Sequence, residues 1–233
     1  MKLKIAVSLL FSVLFSCEKK TVSGKNKAIS DSLTTILDTI DKHKKFNGFA
    51  VAIVNEDGTV YQHGFGYADV AAKKNYTENT IQNIASISKT FIGVALLKAQ
   101  EMGKLKLDDG IDKYLPFRVR NPNFPDVGIT IRQLTTHTSS IRDNEFYLSK
   151  TYFLKPGQDL KNAKLALDDM QKFNPADSII PLETYFKNIL TADGKWNKDI
   201  YSNNKPGSIY EYSNNGATLA AYILERATGT SFS

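Results

Sequence analysis

The chain has 233 residues, 42% hydrophobic and 23% charged, which is enough apolar material for one sizeable core or two small ones and leaves no low-complexity tract. Its formal charge is +6, but the lysines are scattered rather than gathered in a stripe, so nucleic acid is excluded as the expected partner. The single cysteine, Cys17, excludes an intrachain disulfide and a cysteine-based metal site, and His43, His63 and His137 lack metal-ligand spacing.

The chain opens on a basic segment, Met1 to Lys4, and an apolar run from Ile5 to Phe15 that is short for a membrane span. The run ends in Leu14-Phe15-Ser16-Cys17, which resembles the lipobox of bacterial lipoproteins. That resemblance implies a signal peptide over 1–16, removed to leave a lipidated Cys17 as the membrane anchor. An ordinary signal peptide with an incidental cysteine is the alternative. Residues 17–28 are polar and aperiodic and read as a tether.

Ile29 to Phe46 carries Leu33, Ile36, Leu37 and Ile40 at helical spacing and predicts an amphipathic helix. The period then changes. Gly48 to Val54 predicts a buried strand, Asn55-Glu56-Asp57-Gly58 a hairpin turn, and Thr59 to Phe65 the return strand. His63 on that strand is expected to be structural. A short strand over Thr80 to Ile84 is expected to lead into Ser86.

From Phe91 to Met102 apolar residues cover most of the helical circumference, which predicts a buried central helix stopped by Gly103. Ser86 and Lys89 sit three residues apart at its entrance, close enough to touch. A helix start offers free N–H groups and a positive dipole end, both favourable to an anion on a serine oxygen. Ser86 is therefore a candidate nucleophile and Lys89 the group that helps to activate it. The plain alternative is that Ser86 caps the helix. A second match, Ser202-Asn203-Asn204-Lys205, lies in a polar loop with no helix behind it.

Leu107-Asp108-Asp109-Gly110-Ile111 lacks the alternating acidic ligands of a calcium loop and reads as a turn. Thr130 is expected to cap a short helix that ends in the polar turn His137-Thr138-Ser139-Ser140. Arg142 to Ala176 is mixed and polar and reads as an insertion or lid. Helices are expected over Pro181 to Leu190 and Asn214 to Thr228, the second ended by Gly229.

Four stretches, in this order and spacing, resemble the serine β-lactamase-related family, in its class C β-lactamase, D-alanyl-D-alanine peptidase and esterase branch. They are Gly64 to Asp69, Ala85 to Phe91, Ile129 to Ser139, and Pro206-Gly207 followed by Tyr210-Glu211-Tyr212-Ser213-Asn214. The resemblance covers nearly all of the chain after the tether, over 29–233. It implies an α+β fold, an antiparallel sheet with helices and a helical subdomain.

The family's Tyr-x-Asn motif is matched by Tyr212-Ser213-Asn214, which follows Pro-Gly and precedes an amphipathic helix. Tyr201-Ser202-Asn203 meets neither condition. By resemblance, Tyr212 is the general base or proton shuttle with Lys89, and Asn214 orients Lys89 and the substrate. Tyr212 as a merely packed aromatic is the alternative. The Ser86 backbone N–H is the implied oxyanion donor, and no metal or organic cofactor is implied. His137 holds a position expected to brace a turn. Ser140 stands where the family often has Gly, so a left-handed backbone there would be strained.

One departure stands out. The family's third motif, Lys-Thr-Gly or a His-x-Gly variant, lies on a later strand, and nothing matching it follows Tyr212. The resemblance therefore implies a C-terminally truncated member lacking its last strands. The expected function is acyl-enzyme hydrolysis of an amide, β-lactam or ester, of cell-wall D-amino-acid or small-ester type. The alternatives are a non-catalytic penicillin-binding or sensor protein on the same fold, or an inactive fragment. The expected setting is the bacterial cell envelope, lipid-anchored and facing the periplasm or the surface. The partners are a small-molecule or peptide substrate and the membrane, and the chain is expected to be a monomer.

Overall fold

A computed structural model describes residues 24–42, 46–158 and 173–232. Cys17, the segment 1–16 expected to be a signal peptide, and His43 lie outside the described residues. The chain divides into two compact units, one ending at Asn83 and the other running from Ile84.

The first unit is built around a hairpin. Helix α1 (Gly24–Lys42) starts inside the expected tether, then β1 (Gly48–Asn55) pairs antiparallel with β2 (Gly58–Asp69). Asn55 closes the turn by accepting the Asp57 N–H on its side chain, and Gly58 takes a φ of 125° that a side chain would resist. One extra residue on β2 shifts the register between Ile53 and Val54. Phe49 and Phe65 stack across the pair, 4.8 Å between ring centroids. The Thr34 hydroxyl of α1 lies 3.0 Å from the Tyr61 hydroxyl of β2. Of the expected α1 stripe, Leu33 and Leu37 are half-buried while Ile36 is exposed.

The third strand is not where the sequence suggested. Residues 80–84 form no strand; β3 is Lys74–Asn75, paired with Tyr67 and Asp69. After it, Thr77 N–H donates to the Thr80 hydroxyl and Thr80 N–H to the Thr77 carbonyl, so the chain turns instead of extending. The apolar residues between there and Ser86 have no ladder to join, and Ile81 is 99% exposed.

The second unit is helical and centres on its last helix. A 3₁₀ turn over Ala85–Ser88 runs into α2 (Lys89–Glu101), followed by α3 (Ile131–Thr135), α4 (Glu145–Lys150), α5 (Leu182–Leu190) and α6 (Asn214–Thr228). Helix α6 buries Leu219, Ala220 and Ile223 completely and packs on both α2 and α3. Fully burying one such leucine or isoleucine is worth about 1.5–3 kcal/mol. The Ser213 hydroxyl caps α6 by accepting the Gly216 N–H, and Gly229 ends it with a φ of 72°.

The helix over Phe91 to Met102, expected to be buried and central, is largely exposed as α2, and the buried helix of this unit is α6. Helix α2 turns Leu96 and Ala99 inward and leaves Phe91, Val94 and Leu97 exposed. Its apolar residues encircle the axis, but only one side of it meets α6.

Local signals set the loop that leads to the site. A capping box starts α3: the Thr130 hydroxyl accepts the Gln133 N–H, and the Gln133 side chain accepts the Thr130 N–H. Ile131 and Leu134 are thereby driven into the core. Past α3, His137 and Ser140 take positive φ values of 55° and 65°. Ser140 is thus held in the left-handed region, and its buried hydroxyl accepts from Asn121 Nδ2 at 3.0 Å, which offsets part of that cost.

Candidate active site

Ser86 lies in the 3₁₀ turn and Lys89 is the first residue of α2. In a 3₁₀ turn, residues three apart eclipse one another. Lys89 Nζ accordingly donates to Ser86 Oγ at 3.0 Å. The residue at the N-cap position of α2 is Ser88, and it makes no side-chain cap. Ser86 Oγ points to functional groups rather than to the helix start. The residue before it, Ala85, has a φ of 46°, a left-handed conformation that costs a non-glycine residue energy.

Tyr212 arrives from a segment distant in sequence, just before α6. The loop before it runs along the turn after α3: Gly207 N–H donates to the Thr138 carbonyl and Glu211 N–H to the His137 carbonyl, each at 2.7 Å. Gly207 has a φ of 91°, and a Cβ there would meet Gln133 at 2.8 Å. This pinning brings Tyr212 Oη to Ser86 Oγ, donating at 2.7 Å, although the residues are 126 apart in sequence. Lys89 Nζ also lies over the Tyr212 ring, 5.3 Å from its centroid. Asn214 Oδ1 completes the group, 3.5 Å from Tyr212 Oη.

Burial pushes the Tyr212 phenol up, but hydrogen bonding to Lys89 and Ser86, together with the ammonium charge, outweighs it, while Asp143 opposes. The net effect is a value below the ordinary 10.0 of a tyrosine. A serine oxygen thus touches both a cation and an acidified phenol at the rim of a cavity of about 300 Å³, lined also by Thr90, Leu134 and His137. Such an arrangement can take a proton from the serine as it attacks a carbonyl.

The residues fit one family. The β-lactamase family model matches residues 33–233. The chain belongs to the β-lactamase family. It is 28% identical over 200 residues to penicillin-binding protein 4* of Bacillus subtilis (strain 168), a match covering 86% of this chain and 37% of the relative. A solved class C β-lactamase superposes with a TM-score of 0.59 at 22% identity, covering 91% of this chain and 48% of that one. EstCE1, described as a hydrolase with promiscuous acyltransferase activity, superposes with a TM-score of 0.58 at 21% identity, covering 89% and 49%. The fold is that of the β-lactamase family, α+β with an antiparallel sheet and helices. The chain spans less than half the length of each of these three relatives.

The four residues expected to carry acyl transfer, Ser86, Lys89, Tyr212 and Asn214, come together. The competing Tyr201-Ser202-Asn203 does not join them: the Tyr201 hydroxyl donates to the Leu190 carbonyl at 2.7 Å, and Ser202 is buried.

Two further residues belong to the site. His137 braces the turn as expected, but its ring also lies against Tyr212, 4.5 Å between centroids, and its Nδ1 accepts the Ser213 N–H at 3.2 Å. The neutral ring therefore carries its proton on Nε2. Asp143, at the start of the stretch read as a lid, reaches the first turn of α6. It accepts from Asn214 N–H at 3.0 Å, Asn214 Nδ2 at 2.6 Å and Asn215 N–H at 2.8 Å. Nothing local in the sequence marks Asp143, since its partners lie 71 and 72 residues away.

Proposed function

We propose that the protein is a serine hydrolase of the β-lactamase family that works through an acyl-enzyme. The observation that carries this reading is the double contact of Ser86 Oγ with Lys89 Nζ at 3.0 Å and Tyr212 Oη at 2.7 Å. Ser86 Oγ attacks the substrate carbonyl while its proton passes to the Tyr212–Lys89 pair. The tetrahedral oxyanion is held in part by the Ser86 backbone N–H. Collapse expels the leaving amine or alkoxide, which takes the proton back from the pair. Water then attacks the ester on Ser86 and releases the acid. Asn214 orients Lys89 and the substrate. The substrate is an amide, β-lactam or ester, of cell-wall D-amino-acid or small-ester type.

In this reading the mature chain is a lipoprotein of the bacterial envelope, anchored through Cys17 and facing the periplasm or the surface. The support for that is the Leu14-Phe15-Ser16-Cys17 sequence.

The test is intact-protein and peptide mass spectrometry after exposure to a reactive penicillin or a fluorophosphonate. The expected result is one adduct, located on Ser86. Folded protein that gives no adduct with either probe overturns the nucleophile. A penicilloyl adduct that forms and never clears replaces hydrolysis by penicillin binding.

A further inference from the structure

A side-chain amide has two ends of nearly equal size, one a donor and one an acceptor, and shape alone does not decide which faces a site. In Asn214 something else decides it. The Asn214 amide lies between Asp143 on one side, 2.6 Å from its Nδ2, and the Tyr212 hydroxyl on the other, 3.5 Å from its Oδ1. An ionised carboxylate is only an acceptor. Turned over, the amide would set its oxygen against the carboxylate and its NH₂ against Tyr212. The short contact to Asp143 can be made by Nδ2 alone.

We propose that Asp143 is a positioning residue that fixes the Asn214 amide with its carbonyl oxygen toward Tyr212 and Lys89. The proposal rests on the reading of Ser86, Lys89 and Tyr212 as the acyl-transfer centre. The oriented oxygen presents an acceptor to the groups that hold the serine's proton. The NH₂ end is tied back against the protein.

Asp143 is itself held in place. Arg142 donates through Nε to Glu211 at 2.7 Å, and the Arg142 carbonyl accepts Asn215 Nδ2 at 3.1 Å. Residues 142–143 are thus strapped to the same segment that delivers Tyr212. The buried Asn215 side chain is anchored in turn by the Tyr185 hydroxyl, which donates to its Oδ1 at 2.7 Å. Movement of the carboxylate away from Asn214 would break several bonds at once.

A rival role is simple capping, because the carboxylate also accepts the first two N–H groups of α6. The two roles separate in Asp143→Asn. Its amide can cap, but it no longer compels Asn214 to present NH₂ to it.

The test combines a spectroscopic and a kinetic readout on the same protein. In ¹⁵N-labelled protein, the Asn214 side-chain NH₂ pair is identified by its loss in Asn214→Ala. It is expected to show one downfield, slowly exchanging proton, and Asp143→Asn is expected to abolish that signature. The rate of Ser86 adduct formation is expected to fall about 10- to 100-fold in Asp143→Asn, the scale of a small misplacement in a reacting pair. In an Asn214→Ala background the same change is expected to cost nothing further. An unchanged Asn214 signal in Asp143→Asn, or an equal rate loss in both backgrounds, overturns the proposal in favour of capping. If the wild type forms no adduct at all, the hydrolase reading falls, and the NH₂ signature alone decides whether Asp143 orients Asn214.

Discussion

The His137 and Tyr212 rings lie against each other, 4.5 Å between centroids, while His137 Nδ1 accepts the backbone N–H of Ser213, the residue that caps α6. This joins the phenol to a titratable ring. Burial, then the Lys89 charge, holds His137 below its ordinary value of 6.5, with Asp143 opposing. The unfolded chain therefore takes up this proton at a higher pH than the folded one, and in that window stability falls as pH falls. Urea midpoints are expected to decline below about pH 6.5. The decline is expected to be smaller in His137→Asn, which tolerates the left-handed backbone. Parallel pH curves for the two proteins would remove His137 as the cause.

Tyr212 is expected to ionise below the usual 10.0. Its titration is read as the difference in absorbance near 295 nm between wild type and Tyr212→Phe. Lys89→Met removes both the hydrogen bond and the charge that favour the phenolate, so the value is expected to rise. A Tyr212 titration that ignores Lys89→Met contradicts the proposed proton-sharing pair.

The two Tyr-Ser-Asn stretches are expected to separate cleanly. Tyr212→Phe removes a hydroxyl that touches Ser86, and acylation by a reactive penicillin is expected to slow by about 10²–10⁴-fold. Tyr201→Phe loses one bond to the Leu190 carbonyl, and is expected to cost about 1 kcal/mol of stability with the acylation rate intact.

Asn121 ties three loops together. It is fully buried, donates to Ser140 Oγ and the Ser202 carbonyl, and accepts the Asn123 N–H. Asn121→Ala strands the buried Ser202 carbonyl and is expected to cost about 1–3 kcal/mol in urea unfolding. At Ser140, glycine relieves the left-handed backbone and alanine does not. Ser140→Gly is therefore expected to be more stable than Ser140→Ala by about 1 kcal/mol. The reverse order would mean that the φ of 65° carries no strain.

What could be read from the sequence was what short-range chemistry writes into it. Thr130 announces a helix cap, Asp57-Gly58 a hairpin, and Gly229 a helix end, and each is decided by neighbours along the chain. Ser86 and Lys89 were legible for the same reason. Tyr212 needed its context, Pro206-Gly207 before and an amphipathic helix after, to be told from Tyr201. Asp143 carries no such mark, because its role comes from a carboxylate meeting α6 across the fold. The strand expected over 80–84 failed in the opposite sense: an apolar run is necessary for a strand, but only a pairing partner makes it one. Helix α2 shows the same limit, since composition gives no account of which side meets α6.

The 3₁₀ turn at Ser86 has a consequence for how this centre can vary. Each residue in such a turn advances the chain by about 120°, so the ammonium returns beneath the hydroxyl only after three steps. One residue added between Ser86 and Lys89, or one removed, would swing Lys89 a third of the way round the axis and away from both Ser86 and Tyr212. Ile87 and Ser88, whose side chains are exposed, are then free to change in kind but not in number. The spacing of the pair is counted out by the backbone, and a one-residue insertion there should disable the centre as thoroughly as loss of the serine.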